Sequence, residues 1–180
     1  MKSDPTQPPI DLHDPTAVRA HRPLLVAHRG GVAEANAPEN SLAAIVLAAL
    51  HGYDMVELDV REARDGALFL FHGLHGGSLL ADCGVRAAVE DLSARELAQI
   101  RYRGSTEPIA RFDDALALCA SLGLGVMLDL KAREPSPAYL GKIAERYGVS
   151  VRQIKRWNGL RSNMLRVGQR LTIYPRKPVT

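Results

Sequence analysis

Four short apolar runs in this chain end in charged or imidazole side chains, and that pattern constrains the fold more than any other feature. Residues 24–27 (LLVA) stop at His28-Arg29-Gly30-Gly31, and residues 55–60 (MVELDV) carry Glu57 and Asp59. Residues 67–71 (ALFLF) follow an Asp65-Gly66 turn signal and run into His72, while residues 125–130 (GVMLDL) carry Asp129 ahead of Lys131. Short apolar runs of this length read as buried strands. Side chains two apart in a strand share a face, so Glu57 and Asp59 point the same way. Helices are expected over residues 42–50, capped by Asn40 or Ser41, and over 93–101 and 112–121. Strands alternating with helices define an α/β layer with parallel pairing, whose chemistry gathers at the C-terminal ends of its strands.

His28, Arg29, Glu57, Asp59, His72, Asp129 and Lys131 then converge on one rim. Three carboxylates form a hard oxygen set suited to Mg²⁺ or Ca²⁺. Two histidines are natural proton-transfer partners near neutral pH. Arg29 and Lys131 are suited to holding a phosphate. Taken singly, each residue also reads as an ordinary loop or surface side chain; the conjunction at four strand ends is what points to a site. His51 and His75 have no such partners and read as structural.

Length limits this reading. A complete (β/α)8 barrel takes about 250 residues, and the chain has 180. No apolar run approaches the ~20 residues that cross a bilayer. The first 22 residues are polar and proline-rich, read as a loosely ordered arm, and contain no stretch of signal-peptide type. Cys83 and Cys119 are too few for a disulfide framework and lack metal-site spacing. Charge divides the chain: residues 1–137 hold 13 Lys and Arg against 19 Asp and Glu, whereas residues 138–180 hold 10 against a single Glu145. The intervening AREPSP (132–137) reads as a linker, so two units are expected, 23–131 and 138–176.

The motifs HRG (28–30), PENS (38–41), ELDV (57–60), DG (65–66), His72 and LDLK (128–131) together resemble the glycerophosphodiester phosphodiesterase family. The resemblance covers residues 24–131 and implies a metal-dependent phosphodiester hydrolase on a (β/α)8 barrel, here a partial barrel. It assigns His28 and His72 as an acid/base pair, and Glu57, Asp59 and Asp129 as ligands of a divalent cation. Arg29 and Lys131 match phosphate-binding positions, and Glu39 and Asn40 match a loop that supports the site. The implied substrate is a glycerophosphodiester, cleaved to glycerol 3-phosphate and an alcohol. Three departures stand out: Gly73 replaces the family's usual Asp, Asp129 replaces its usual Glu, and the family pattern stops after LDLK. A half barrel leaves two open strand edges and an uncovered interior, which pairing of two copies would close.

Residues 140–147 place Leu140, Ile143, Ala144 and Tyr147 on one helical face, and Gly148 is suited to cap them. Ser150 then caps a helix over 151–157, Asn158-Gly159 ends it, and residues 170–174 (RLTIY) alternate as a strand. This basic segment resembles a LysM module that lacks its first strand. The resemblance implies binding of peptidoglycan or another N-acetylglucosamine glycan, with Asn158, Gly159 and Leu160 in the binding loop and Trp157 in the core. A DNA-binding helix-turn-helix is the weaker match, because it does not require the N-G-L and V-G-Q pattern. Two functions therefore stand open: a metal-dependent phosphodiesterase with a glycan-binding module, or a non-catalytic wall-binding protein with a vestigial barrel fragment. Location stays open between cytoplasm, from the polar N-terminus, and cell envelope, from the LysM resemblance.

Overall fold

The computed structural model of the chain describes residues 14, 16, 24–31, 36–131, 137–146, 148–163 and 170–173. Apart from Asp14 and Thr16, the expected N-terminal arm lies outside the described residues, as do linker positions 132–136, Tyr147 and the end of the RLTIY strand. The elements that position the site are β1 (Val26–Ala27), a 3-10 turn (His28–Gly30), α1 (Leu42–Leu50), β2 (Met55–Glu62) and β3 (Leu68–Leu70). Three one-turn helices follow, α2 (Leu74–Gly77), α3 (Leu80–Cys83) and α4 (Ala94–Leu97), then α5 (Phe112–Leu122) and β4 (Gly125–Leu130). The chain continues with α6 (Pro137–Arg146), α7 (Val151–Asn158) and β5 (Arg170–Ile173).

β2 is the centre of the sheet, buried from Met55 to Arg61. A strand covered on both faces reads as a near-continuous apolar run, and MVELDV departs from one only at its two carboxylates. Along one edge β2 pairs parallel with β4 over six residues, which sets Glu57 opposite Met127 and Asp59 opposite Asp129. Along the other edge β1 pairs parallel with its first two residues, and β3 pairs antiparallel with its last three. The third strand therefore departs from the expected all-parallel layer. Ala63 N–H donates to Ala67 O at 2.8 Å, closing a tight turn, and so short a connection reverses the chain instead of crossing over. The helix expected over 93–101 shortens to Ala94–Leu97, because Arg101 leaves it to bridge Pro108.

Local signals fix the longer helices. Ser41 Oγ accepts from Ala44 N–H at 3.1 Å at the start of α1. Ser150 and Gln153 form a reciprocal capping box on α7, and Gly159 ends it in the left-handed conformation. α6 opens at Pro137, three residues before the expected start, in agreement with proline's tolerance of the first helical turn.

The second open edge foreseen for a half barrel is covered. β5 pairs antiparallel with the outer edge of β4, Val126 opposite Ile173 through Asp129 opposite Arg170. Leu140, Ile143, Ile154, Leu171 and Ile173 are fully buried in the same apolar cluster as Val56, Leu58, Leu128 and Leu130. Trp157 packs against this cluster, as foreseen. A second cluster, built on Phe69, Phe71, Leu79, Leu97 and Ile109, lies under the excursion between β2 and α5. Both cysteines are free, and burial pushes the Cys83 thiol up to about 11 and Cys119 to about 12, so neither is a reactive thiolate. No helix among the described residues is long and apolar enough to cross a membrane.

Candidate active site

The rim is organised around two residues held in a strained backbone conformation. Arg29 (φ 55°) and Asn40 (φ 61°) are the non-glycine residues with positive φ among those described, and left-handed backbone costs energy unless the surroundings enforce it. The two are joined directly, since Asn40 N–H donates to Arg29 O at 2.8 Å. Gly31 permits the turn between them: a Cβ there would come within 2.4 Å of the Ala27 Cβ. The reward of the strain is visible in what these residues hold. Arg29 N–H donates to Glu57 Oε2 at 3.0 Å. Asn40 is fully buried and grips Asp59 twice, Nδ2–H donating to Oδ2 at 3.0 Å and Oδ1 accepting from Asp59 N–H at 2.9 Å.

Glu57, Asp59 and Asp129 are all buried, and one oxygen of each lies within 4.8 Å of the others. Cross-strand register supplies this geometry, since Asp59 and Asp129 stand opposite one another and Glu57 shares a face with Asp59. Oxygens that share a Mg²⁺ or Ca²⁺ ion lie ~2.0–2.6 Å from it, and so within about twice that distance of each other. The carboxylate set fits such an ion in donor type and in spacing. Burial pushes the Glu57 carboxyl above its usual range, opposed by the Arg29 N–H and reinforced by the neighbouring Asp59 charge. Burial is the largest of the effects that raise it, and the like charge of Asp59 adds to it.

Two basic side chains partly neutralise the cluster. Lys131 Nζ donates to Asp129 Oδ2 at 2.9 Å and lies 3.4 Å from Asp59 Oδ1. Arg29 Nε lies 3.4 Å from Asp59 Oδ2, while its Nη1 pairs with Glu39 at 3.0 Å. Burial alone would lower the pKa of both groups, but their carboxylate partners outweigh it and hold both above their ordinary values. His28 is largely exposed, with Nε2 3.9 Å from Glu57 Oε2. His72 is half-buried, and the electrostatic influence of its ring reaches Asp82.

The structure thus brings His28, Arg29, Glu39, Asn40, Glu57, Asp59, Asp129 and Lys131 into one constellation, with His72 at the exit of β3. Asn158, Gly159 and Leu160 stand apart from it at the end of α7. There the Asn158 amide donates to Ile154 O and Thr172 O, each at 2.8 Å, and its Oδ1 accepts from Thr172 N–H. Three residues passed over in the sequence also belong to the rim's surroundings. Asp82 is half-buried where the charges of Glu39, His72 and Arg29 act on it, and buried Arg61 pairs with half-buried Glu90 at 2.6 Å. Arg61 carried a readable signal, a cation continuing a buried strand directly after ELDV. Asp82 and Glu90 carried none, since their loop has no periodicity to place them.

The partial α/β sheet thus carries three carboxylates that could hold a metal ion, with the cationic side chains of Arg29 and Lys131 beside them. Residues 28–171 match the glycerophosphoryl diester phosphodiesterase family, and the chain belongs to that family; the match does not stop after LDLK, as the motifs alone imply, but runs on through α6 and α7 into β5. It is 35% identical over 112 residues to a probable glycerophosphodiester phosphodiesterase 1 of Mycobacterium tuberculosis, spanning 62% of this chain and 40% of the relative. Identity to glycerophosphodiester phosphodiesterase 1 of Mus musculus is 33%, over 59% of this chain and 33% of the relative. Among solved structures, an Oleispira antarctica phosphodiesterase in complex with the product sn-glycerol-3-phosphate superposes with a TM-score of 0.60 at 26% identity, covering 70% of this chain and 52% of that one. A Galdieria sulphuraria protein described as a putative glycerophosphodiester phosphodiesterase gives 0.63 at 26%, covering 71% and 52%. The chain therefore spans less than half the length of these sequence relatives and about half of these solved structures.

Proposed function

We propose that the chain hydrolyses glycerophosphodiesters to glycerol 3-phosphate and an alcohol, using a divalent cation held by Glu57, Asp59 and Asp129. The observation that carries this reading is the cross-strand carboxylate cluster flanked by Arg29 and Lys131, on a chain of this family. The ion, when bound, polarises the phosphoryl oxygen and offsets its charge. Arg29 offers a guanidinium edge to the phosphate while Glu39 fixes its other end. Lys131 turns from Asp129 toward the substrate, a motion its flexible stem allows. His28 and His72 divide proton transfer, one taking a proton from the attacking water and the other returning one to the leaving alkoxide. Asn40 and Glu39 keep the loop and the carboxylates in place. The product-bound Oleispira relative supports glycerol 3-phosphate as the phosphate-bearing product.

The test is hydrolysis of glycerophosphocholine by the purified chain with Mg²⁺, with Ca²⁺ and with EDTA, beside His28→Ala. Chelator-sensitive turnover that vanishes in the variant is the expected result. Equal rates in both proteins, or none under folded conditions, would overturn the reading and leave the barrel portion vestigial.

A second reading concerns the segment from residue 138 onward, as a LysM-like module that binds peptidoglycan or a related glycan. Its support is the helix-helix-strand order of α6, α7 and β5, with Gly159 exposed at the loop and Asn158 shaping it. Retention on insoluble peptidoglycan, lost in Gly159→Val, is expected if it holds. Salt-sensitive DNA binding without glycan retention would replace it with a nucleic-acid surface.

A further inference from the structure

We infer that Arg61 is a positioning residue that sets His72 and Lys131 relative to one another, acting through their backbone carbonyls and anchored by Glu90. For turnover this rests on the phosphodiesterase reading; for geometry it stands without it. The Arg61 side chain is 6% exposed, and a guanidinium so placed must find partners for its five N–H groups. Nε–H donates to Phe71 O and His72 O, both at 3.0 Å. Nη2–H donates to His72 O at 2.7 Å. Nη1–H donates to Glu90 Oε1 at 2.6 Å and reaches Lys131 O at 3.5 Å.

A pair whose task was only to neutralise buried charge would need the Glu90 contact alone. Here most of the fork is directed at the backbone exits of β3 and β4, where the chain delivers an imidazole and an ammonium to the rim. The ladder leads to the same two places: Phe71 N–H donates to Asp59 O at 3.0 Å and Lys131 N–H to Val60 O at 2.9 Å. Beyond those bonds the sheet ends, and Arg61 takes over the register. The pair is also tightly enclosed. A Cβ on Gly77 would come within 2.7 Å of both Arg61 Nη1 and Glu90 Oε2, so the guanidinium has little freedom to shift. Lysine at position 61 would keep a charge for Glu90 but, as a point donor, cannot span three carbonyls in a plane.

The test compares wild type with Arg61→Lys, Glu90→Gln and, as a control, Arg64→Lys, which alters an exposed ion pair with Glu96. Melting curves establish folding. With glycerophosphocholine and saturating Mg²⁺, Arg61→Lys is expected to lose about 10- to 100-fold in kcat with KM little changed, the scale of a small misplacement of reacting groups. Glu90→Gln should lose less, and Arg64→Lys nothing. The readout independent of activity is the His72 ring signal in NMR, assigned against His72→Gln; it should move in Arg61→Lys and Glu90→Gln while the remaining histidine signals hold. Unchanged kcat and an unmoved His72 signal in folded Arg61→Lys would overturn the inference. Should wild type show no turnover, the phosphodiesterase reading fails by itself and the His72 signal decides. Should Arg61→Lys not fold, the same two measurements on Glu90→Gln decide.

Discussion

β4 is paired on both sides, and the two pairings carry different information. Toward β2 it runs parallel, and register there places Asp59 opposite Asp129, so the pairing creates a site. Toward β5 it runs antiparallel, with Leu171 and Ile173 buried and Thr172 held by Asn158, so the pairing closes an edge. In the first, a one-residue slip would separate Asp129 from Glu57 and Asp59; in the second, it would turn two apolar side chains out of the core. One strand thus links a boundary of chemistry to a boundary of stability. A partial sheet need not end in a bare edge, provided the following segment brings both a strand and helices to cover it.

The largest effect that would break this contrast is deletion of residues 132–180. It removes Leu140, Ile143, Ile154, Leu171 and Ile173, all fully buried. At about 1.5–3 kcal/mol for each such side chain, the loss rivals the ~5–15 kcal/mol that holds a domain folded. Loss of the cooperative melting transition and aggregation in size-exclusion chromatography are expected. A monomeric fragment melting within a few degrees of the full chain would show that β5 closes nothing.

On the other side of β4, Asp59→Asn removes the carboxylate shared by Asn40, Arg29 and Lys131. Turnover is expected to fall by about 10²- to 10³-fold, the scale of losing an electrostatic contact to the transition state. The same variant sharpens the metal assignment by a thermal shift. Wild type should gain about 2.7 kcal/mol at a cation concentration 100 times the Kd, and Asp59→Asn should gain far less at that concentration. Equal gains would move the ion away from this cluster.

The rim was legible in the sequence because its residues lie at strand ends, where order, spacing and face follow from a period of two. His28, Glu57, Asp59, Asp129 and Lys131 needed no tertiary knowledge beyond parallel pairing. The closure was not legible. Residues 170–173 read correctly as a strand, but nothing local says that β4 is the partner, since pairing between distant segments depends on which edge stands open. The turn into β3 was visible as Asp65-Gly66, yet its consequence, an antiparallel strand inside a parallel layer, was missed. Gly73 shows a third kind of limit. As sequence it looked like a defect against the family's usual Asp, whereas its φ is 61° and a Cβ would lie 2.8 Å from the Gly77 Cα and from a Phe71 ring carbon. Gly73→Asp is therefore expected to destabilise the chain by about 1–3 kcal/mol through backbone strain alone, with the contact adding to it. A denaturant midpoint at or above the wild-type value would show that the loop can accept the family residue.

The smallest effect concerns Glu57 in the metal-free protein. Burial raises its carboxyl above the ordinary value in the folded state, so between the unfolded and folded pKa values the native chain binds more protons than the unfolded one. Stability from this group is then fully present below the unfolded pKa and is lost as pH rises through the folded one. Glu57→Gln keeps an acceptor for the Arg29 N–H but removes the charge, so it should be more stable than wild type at pH 8 in EDTA. The gain should shrink as pH falls through the folded-state pKa toward the unfolded one, below which the wild-type carboxyl is protonated in both states. Adding Mg²⁺ should reverse the order at pH 8, because only wild type then offers three carboxylates to the ion. A variant less stable than wild type at pH 8 in EDTA would mean that the Glu57 charge is already matched by Arg29 and Lys131, and that the cluster has no electrostatic need of a cation.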